Sequence, residues 1–233
     1  MNDDPYTYAN GVLINKLGIT IEEKLDILEV NLTSIAINEI QENPIEGNFD
    51  FKHYCDIHRY IFKDIYEWAG TPRSINIRKD EKVLGGLSVE YTEASEIEAS
   101  VERVLAYMNS IKWSRLSLNK KAKKFAECMS SLWKIHTFRE GNTRTTVLFC
   151  SQFAKEKGFP LDNDYFKKRS GNVRLALVVA SEKPVDTGNV PPNYLEDIIK
   201  KCIKAGTRQL AGTPKAKRGW KGKIVSFPSS PPR

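Results

Sequence analysis

Residues 132–146 concentrate the side chains that could bind phosphate groups. They read Leu-Trp-Lys-Ile-His-Thr-Phe-Arg-Glu-Gly-Asn-Thr-Arg-Thr-Thr, where one amphipathic helix must break and another begin. Gly141 and Asn142 tolerate left-handed backbone conformations, so they can turn successive N–H groups toward one point. Thr143 lies at the start of the next helix, and Arg144 adds a planar cationic fork in its first turn. Together they predict a nest for a di- or triphosphate.

Two ionisable side chains flank this nest. Glu140, an acid beside an anion, makes chemical sense if Mg²⁺ bridges its carboxylate and the phosphate oxygens. His136, with an ordinary pKa of about 6.5, can be neutral at physiological pH and accept a proton from an attacking hydroxyl. Phe138 is expected to pack inward and hold the loop, as an ordinary core phenylalanine also would. A base, a metal carboxylate, an amide nest and an arginine indicate phosphoryl-group chemistry.

The rest of the chain supplies the helices that must carry this loop. Apolar residues recur at helical spacing in seven segments, whereas period-two alternation around Gly85-Gly86 predicts a hairpin over about 73–91. The predicted helices span 21–41, 49–68, 93–111, 118–135, 143–157, 165–181 and 194–204. We therefore predict a mainly α fold with one small β-hairpin. His58, in a mainly apolar stretch, is interpreted as a hydrogen-bonded structural group rather than a ligand or a base.

Length and composition favour a single globular domain. The chain has 233 residues, of which 40% are hydrophobic, enough for a core. No stretch approaches the roughly 18 to 20 apolar residues of a membrane helix, and the N-terminus lacks signal-peptide features, so we expect a cytoplasmic protein. The four cysteines are widely scattered and are predicted to be reduced thiols, with neither a zinc site nor a disulfide framework.

The positive charge belongs to the C-terminal tail. The formal net charge is +7, but residues 211–233 carry six cations and no acid, which leaves +1 on everything before them. We predict a domain over residues 1–205 and a basic tail rich in Pro, Ser and Gly over 206–233, expected to be solvated and disordered. Nucleic-acid binding is therefore not the favoured function, although a contact between the tail and an acidic partner or nucleic acid stays an alternative.

The loop sequence resembles the signature of the Fic family, His-x-Phe-x-(Asp or Glu)-Gly-Asn-Gly-Arg-x-x-Arg. The resemblance extends to Asp4-Pro5-Tyr6 with Gly11-Val12, to Asn48-Phe49-Asp50, and to residues 57–62 and 64–70, covering about 4–205. It implies a Fic-type α-helical bundle in which the hairpin is a flap that holds a target protein. It also implies transfer of AMP from MgATP to a Tyr, Thr or Ser hydroxyl of that target.

The resemblance assigns a role to each matching position. His136 corresponds to the base, Phe138 to the buried anchor, Glu140 to the metal carboxylate, Gly141 and Asn142 to the phosphate nest, and Arg144 to the first arginine of a catalytic loop over 136–144. Thr143 replaces the family's second glycine, but its amide would still face the anion.

Val147 replaces the second arginine, which in the family grips the outer phosphates. If Val147 faces the phosphates, Val147→Arg should tighten triphosphate binding. If it is a core residue, the same change should reduce stability.

The flap suggests how a target is held. An exposed hairpin edge can pair with an extended segment of a target through main-chain hydrogen bonds. Lys79, Val83 and Leu84 are the predicted target contacts, with plain hairpin packing as the alternative.

The sequence leaves alternatives open for how the protein is inhibited and for which nucleotide it uses as donor. An inhibitory (Ser or Thr)-x-x-x-Glu-(Gly or Asn) motif, which many Fic proteins carry, is missing from this sequence. The resemblance therefore favours a separate small antitoxin in a bacterial toxin pair, with an effector secreted into a host as a second setting. The alternatives to AMP transfer are a relative that transfers UMP or acts as a kinase, and an inactive module that binds partners through the flap.

Overall fold

The computed structural model describes residues 4–79, 81, 84, 86, 88–181 and 193–212. Over these ranges the chain forms eight α-helices, which confirms the predicted mainly α fold. They are α1 (Glu22–Glu42), α2 (Phe51–Phe62), α3 (Ile97–Ser110), α4 (Leu118–Ile135), α5 (Asn142–Glu156), α6 (Asn163–Lys167), α7 (Ser170–Ser181) and α8 (Tyr194–Gly212).

The central helix of the bundle is α4. It contacts α3, α5, α7 and α8, while α2 packs against α1 and α5. Phe125, Met129 and Trp133 are fully buried and share one face of α4, which fixes the helix in the core. Because α4 stops just before His136 and the ring of Phe62 at the end of α2 lies against Gly141, two helix ends meet at the predicted loop.

Three of the predicted helices differ most from the structure. α2 stops at Phe62 rather than at residue 68, because the chain turns there and the amides of Ile65 and Tyr66 both bond to the Phe62 carbonyl. The helix predicted over 165–181 is two helices, with Asp162 capping the first of them. α8 continues to Gly212, so the first seven residues assigned to the tail are helical.

The segment predicted as a hairpin folds back on itself without a regular ladder among its described residues. Its ends are joined by side chains instead: the Lys79 amide bonds to the Ser88 hydroxyl at 3.0 Å, and the Ala94 amide to the Asn76 side chain at 2.8 Å. The Arg73 guanidinium donates to the Thr92 carbonyl across the base of the segment. We refer to residues 73–91 as the flap.

None of the helices in the described ranges is long and apolar enough to cross a bilayer. The four cysteines are buried free thiols, as predicted.

Candidate active site

The loop between α4 and α5 is formed by two left-handed residues. His136 caps α4 with φ 52° and ψ 57°, and its amide bonds to the Trp133 carbonyl at 3.0 Å. Gly141 precedes α5 with φ 82°. Asn142 closes the loop from within, because its side chain accepts from the Phe138 amide at 2.8 Å and donates to the Phe138 carbonyl at 2.6 Å. The chain is thereby returned to the bundle within six residues.

His136 is a buried histidine whose ring is held by stacking rather than by hydrogen bonds. It is 2% exposed and lies against Tyr91, with ring centroids 4.0 Å apart. Neither ring nitrogen has a hydrogen-bond partner in the part of the chain that the structure describes. Burial, and next the Lys79 ammonium, lower the pKa of His136 well below its usual value. The ring is therefore neutral at physiological pH and retains a free lone pair for a proton.

The backbone of His136 is fixed by Arg73, a residue that the sequence analysis did not select. Arg73 is 2% exposed and donates from Nε to the His136 carbonyl at 2.9 Å. It lies outside the predicted helices, so the helical pattern gave no sign of its importance. Its own amide bonds to the Thr137 carbonyl at 2.9 Å. The base of the flap is thus joined to the catalytic loop.

Glu140 faces the same space as His136 and is kept ionised. One carboxylate oxygen accepts from Lys79 Nζ at 2.9 Å, and the other accepts from the Gly141 amide at 2.9 Å. Burial alone would raise the pKa of Glu140, but the Lys79 ammonium and the Gly141 amide lower it to about 2. The oxygen that Lys79 holds is the atom a metal ion could take over.

The first turn of α5 forms the anion nest. The amides of Asn142, Thr143 and Arg144 open this helix, where an α-helix provides no acceptor for them. The Thr143 hydroxyl accepts from Trp133 Nε1 at 2.9 Å, so its amide is held in place by α4. A side chain at position 141 would overlap the Phe62 ring, which explains the glycine.

Arg144 is positioned from α1. Its guanidinium contacts Glu29 Oε1 at 2.5 Å and the Thr33 hydroxyl at 3.2 Å, and it lies 4.8 Å from the centre of the Phe62 ring. Its distance to Glu140 Oε1 is 3.6 Å. Nothing in the local sequence near Arg144 indicates Glu29, which lies 115 positions earlier.

Phe138 and His58 anchor the loop from beneath. Phe138 is fully buried, as predicted, and stacks on the His58 ring at 3.7 Å with an interplanar angle of 13°. His58 Nδ1 accepts from the Gly70 amide at 2.8 Å, so Nε2 carries the proton and donates to the Glu140 carbonyl at 3.1 Å. The structural interpretation of His58 is confirmed. Its link to the backbone of Glu140 was not predicted.

The predicted target contacts on the flap are arranged differently. Lys79 points inward to Glu140, and Leu84 is 5% exposed and belongs to the core, so neither presents its side chain to a target in this conformation. Val83 lies outside the described residues. The alternative of plain packing fits Leu84, whereas Lys79 lines the candidate site.

The loop opens onto two adjoining cavities. The first, of about 280 Å³, is lined by His136, Glu140 and the start of α5 together with Lys79, Gly171 and Arg174; we call it the phosphate cavity. The second is an apolar groove of about 300 Å³ between α1, α5 and α7. Thr143 and Arg144 line both. Val147 lines only the groove, so it packs there rather than facing the phosphate cavity.

The N-terminal segment adds a further contact to the loop. Asp4 accepts two hydrogen bonds from the Arg139 guanidinium, at 2.9 and 2.7 Å, and Tyr6 shares hydrogen bonds with Ser74 at the base of the flap. An antiparallel bridge between Thr7 and Leu13 stiffens the segment.

The bundle and its loop define a class of helical domain that holds phosphates at a helix N-terminus. The chain belongs to the Fic/DOC family, whose sequence profile matches residues 48–154. It is 32% identical to the protein adenylyltransferase VbhT of Bartonella schoenbuchensis over 169 residues, 72% of this chain but 34% of that relative. It is also 32% identical to the probable protein adenylyltransferase y4lH of Sinorhizobium fredii, covering 69% of this chain and 80% of that protein.

Solved structures show the same fold. The N-terminal Fic domain of a Bartonella quintana effector with bound ADP superposes with a TM-score of 0.69 at 22% identity, covering 84% of this chain and 93% of that one. BepC from Bartonella tribocorum with bound AMPPNP gives a TM-score of 0.68 at 20% identity, covering 84% and 95%.

Proposed function

We propose that this protein is a protein adenylyltransferase that moves AMP from MgATP to a Tyr, Thr or Ser hydroxyl of a target protein. The observation that carries the proposal is the neutral, buried His136, whose ring nitrogens have no partner among the described residues, at the wall of a cationic cavity formed by a helix N-terminus. Relatives named protein adenylyltransferases, at 32% identity, support the same activity.

The residues fit an in-line displacement at the α-phosphate. The target oxygen bonds to the α-phosphorus while the bond to the oxygen bridging the β-phosphate breaks, and pyrophosphate leaves. His136 takes the hydroxyl proton, and the α5 amides with Arg144 hold the phosphate charge. A neutral base is available at pH 7 because the pKa of His136 is lowered.

Glu140 is the residue that would hold Mg²⁺. Its carboxylate is ionised, faces the phosphate cavity and has an oxygen held by an exchangeable ammonium, which suits a hard cation. Bound there, the metal would neutralise charge on the donor's phosphates.

The reaction is tested with ATP labelled in the α- or the γ-phosphate, incubated with a bacterial lysate. We expect only the α-label on protein, and we expect His136→Ala to retain its melting temperature while losing transfer by about 10²- to 10⁴-fold, the usual effect of removing a general base. Transfer of the γ-label alone would indicate a kinase, and full activity of His136→Ala would rule out the mechanism.

The metal is tested by calorimetric titration of an ATP analogue at increasing Mg²⁺. For Glu140→Ala we expect the magnesium requirement to rise at least about tenfold, since even residues behind a metal's ligands contribute that much. Glu67→Ala is the control, because that side chain is 84% exposed and pairs with Lys16 on the surface. Superimposed titrations of Glu140→Ala and Glu67→Ala would show that Glu140 is not a ligand.

Two partners complete the proposal. The target would reach His136 along the flap, whose base packs on the catalytic loop. The separate antitoxin helix would lie in the apolar groove, which is lined by Arg144 and by the exposed apolar residue Val30 of α1. Action as a toxin in a bacterial cytoplasm belongs to the same proposal.

A further inference from the structure

The phosphate cavity is more cationic than its sequence motif indicates. Three positive side chains line it, Lys79, Arg144 and Arg174, together with the carboxylate of Glu140. Lys79 pairs with Glu140, whereas the carboxylates that pair with the two arginines, Glu29 and Glu81, do not line the cavity. Val147 lines the apolar groove, so position 147 does not supply the family's second arginine to this cavity. Arginines on a cavity wall can exchange a carboxylate partner for the oxygens of an incoming anion.

The two arginines of the cavity are held to different degrees. Arg144 is fixed by Glu29 and by the Phe62 ring, and its side chain is 28% exposed. Arg174 donates from Nη2 to Glu81 Oε1 of the flap at 2.7 Å; its own side chain is 44% exposed, whereas that of Glu81 is 10% exposed. Because the guanidinium lines the phosphate cavity and Glu81 does not, phosphate oxygens can reach Arg174 from the cavity.

Arg174 is also placed to act on the reacting groups. It lies on α7 one turn after Gly171, which lines the same cavity. Its charge is one of those that act on the His136 ring, so the guanidinium and the base share one space. Because Arg174 belongs to α7 and the amides belong to α5, its planar fork would add a contact from a second helix to a phosphate chain in this cavity.

We propose that Arg174 binds the donor's phosphates beyond the α-phosphate, and that Glu81 is its counter-ion while no nucleotide is bound. The proposal rests on the proposed nucleotide donor and names the residue that holds its outer phosphates.

The test is calorimetric titration with AMP and with an ATP analogue that has a methylene group between its α- and β-phosphates. Arg174→Gln should weaken binding of the analogue by about ten- to a hundredfold, the effect of losing a charge-assisted hydrogen bond, and leave AMP unchanged. Glu81→Gln should tighten the analogue about two- to fivefold, because it removes the competing carboxylate. Arg169→Gln, a nearby arginine that stacks on Tyr165, is the charge-matched control and should change neither.

A purely structural ion pair predicts the opposite pattern. Arg174→Gln and Glu81→Gln break the same contact, so they would then shift affinity in the same direction. Any of three results would overturn the proposal: shifts of the two variants in the same direction, equal losses of affinity for AMP and the analogue in Arg174→Gln, or unchanged affinity in Arg174→Gln. A wild-type protein that binds the analogue as expected but transfers no AMP would instead overturn the proposed function.

Discussion

At the scale of single residues, two buried histidines differ in how their ring nitrogens are used. His58 and His136 are both almost fully buried, and burial lowers the pKa of each. His58 uses both ring nitrogens to join the Gly70 amide to the Glu140 carbonyl. His136 has neither nitrogen engaged within the described chain. Unused hydrogen-bonding capacity in the interior destabilises a protein, so its retention at His136 is explained by function.

His58 makes stability depend on pH in a defined direction. Its pKa is about 3 in the folded protein and about 6.5 in an unfolded chain. Between these values only the unfolded state takes up the proton, so this contribution is full above pH 6.5 and is lost as the pH falls toward 3. From pH 7 to pH 5 we expect the free energy of unfolding of the wild type to fall by about 2 kcal/mol more than that of His58→Gln.

The comparison requires urea unfolding curves for both proteins at several pH values. The carboxylates contribute equally to the two series, so the difference isolates His58. If the free energy of unfolding depended on pH in the same way in the wild type and in His58→Gln, a neutral, buried His58 would be contradicted.

At the scale of elements, both ends of α5 depend on a glycine with positive φ. Gly141 begins the helix at φ 82° and Gly158 follows its end at φ 80°. The two differ in their surroundings: a Cβ at position 158 would meet nothing within 4 Å, whereas one at 141 would overlap the Phe62 ring. The close approach of α2 to the loop at Gly141 therefore sets the position of the first turn of α5.

Alanine substitutions at Gly141 and Gly158 measure how much the contact between position 141 and the Phe62 ring changes the free energy of unfolding. Gly158→Ala should lower the free energy of unfolding by about 1 kcal/mol, the strain of a left-handed alanine. Gly141→Ala should lower it by roughly 1 to 3 kcal/mol more, because the ring must move, and should also weaken nucleotide binding. Equal destabilisation by the two substitutions would mean that Phe62 moves freely and does not set the position of α5.

At the scale of the whole molecule, the site is assembled from segments that are distant in sequence. α1 holds Arg144 through Glu29, α2 holds Glu140 through His58, and the base of the flap holds the His136 carbonyl through Arg73. Residues 213–233 lie outside the described residues, and the last described helix, α8, ends at Gly212. We predict that the domain that performs the proposed chemistry also ends there.

Ending the chain at Gly212 tests this division. The change removes six cations and no acid, and lowers the formal net charge from +7 to +1. We expect the melting temperature and the affinity for the ATP analogue to remain those of the full chain. A lower melting temperature would show that residues 213–233 pack on the domain. Salt-dependent DNA binding by the full chain alone would instead support the nucleic-acid alternative.

The sequence by itself determined the helical bundle and the chemistry of its loop. Helical spacing of apolar residues is a local property, and α4 was predicted with its observed bounds because its buried face repeats without interruption. The loop motif is also local: His136, Glu140 and the Gly141–Arg144 nest lie within nine consecutive residues, so a short string specifies their order and their side-chain types.

Only the tertiary structure decided how those residues are held and charged. Whether Val147 faces the phosphates depends on the rotation of α5 against α1, and the packing places it in the apolar groove. Whether Lys79 contacts a target or Glu140 depends on how the flap folds, and it folds inward. Arg174 carries no motif, and only the packing of α7 beside the loop brings it to the cavity. Such contacts join positions far apart in the chain, so no local pattern of residues encodes them.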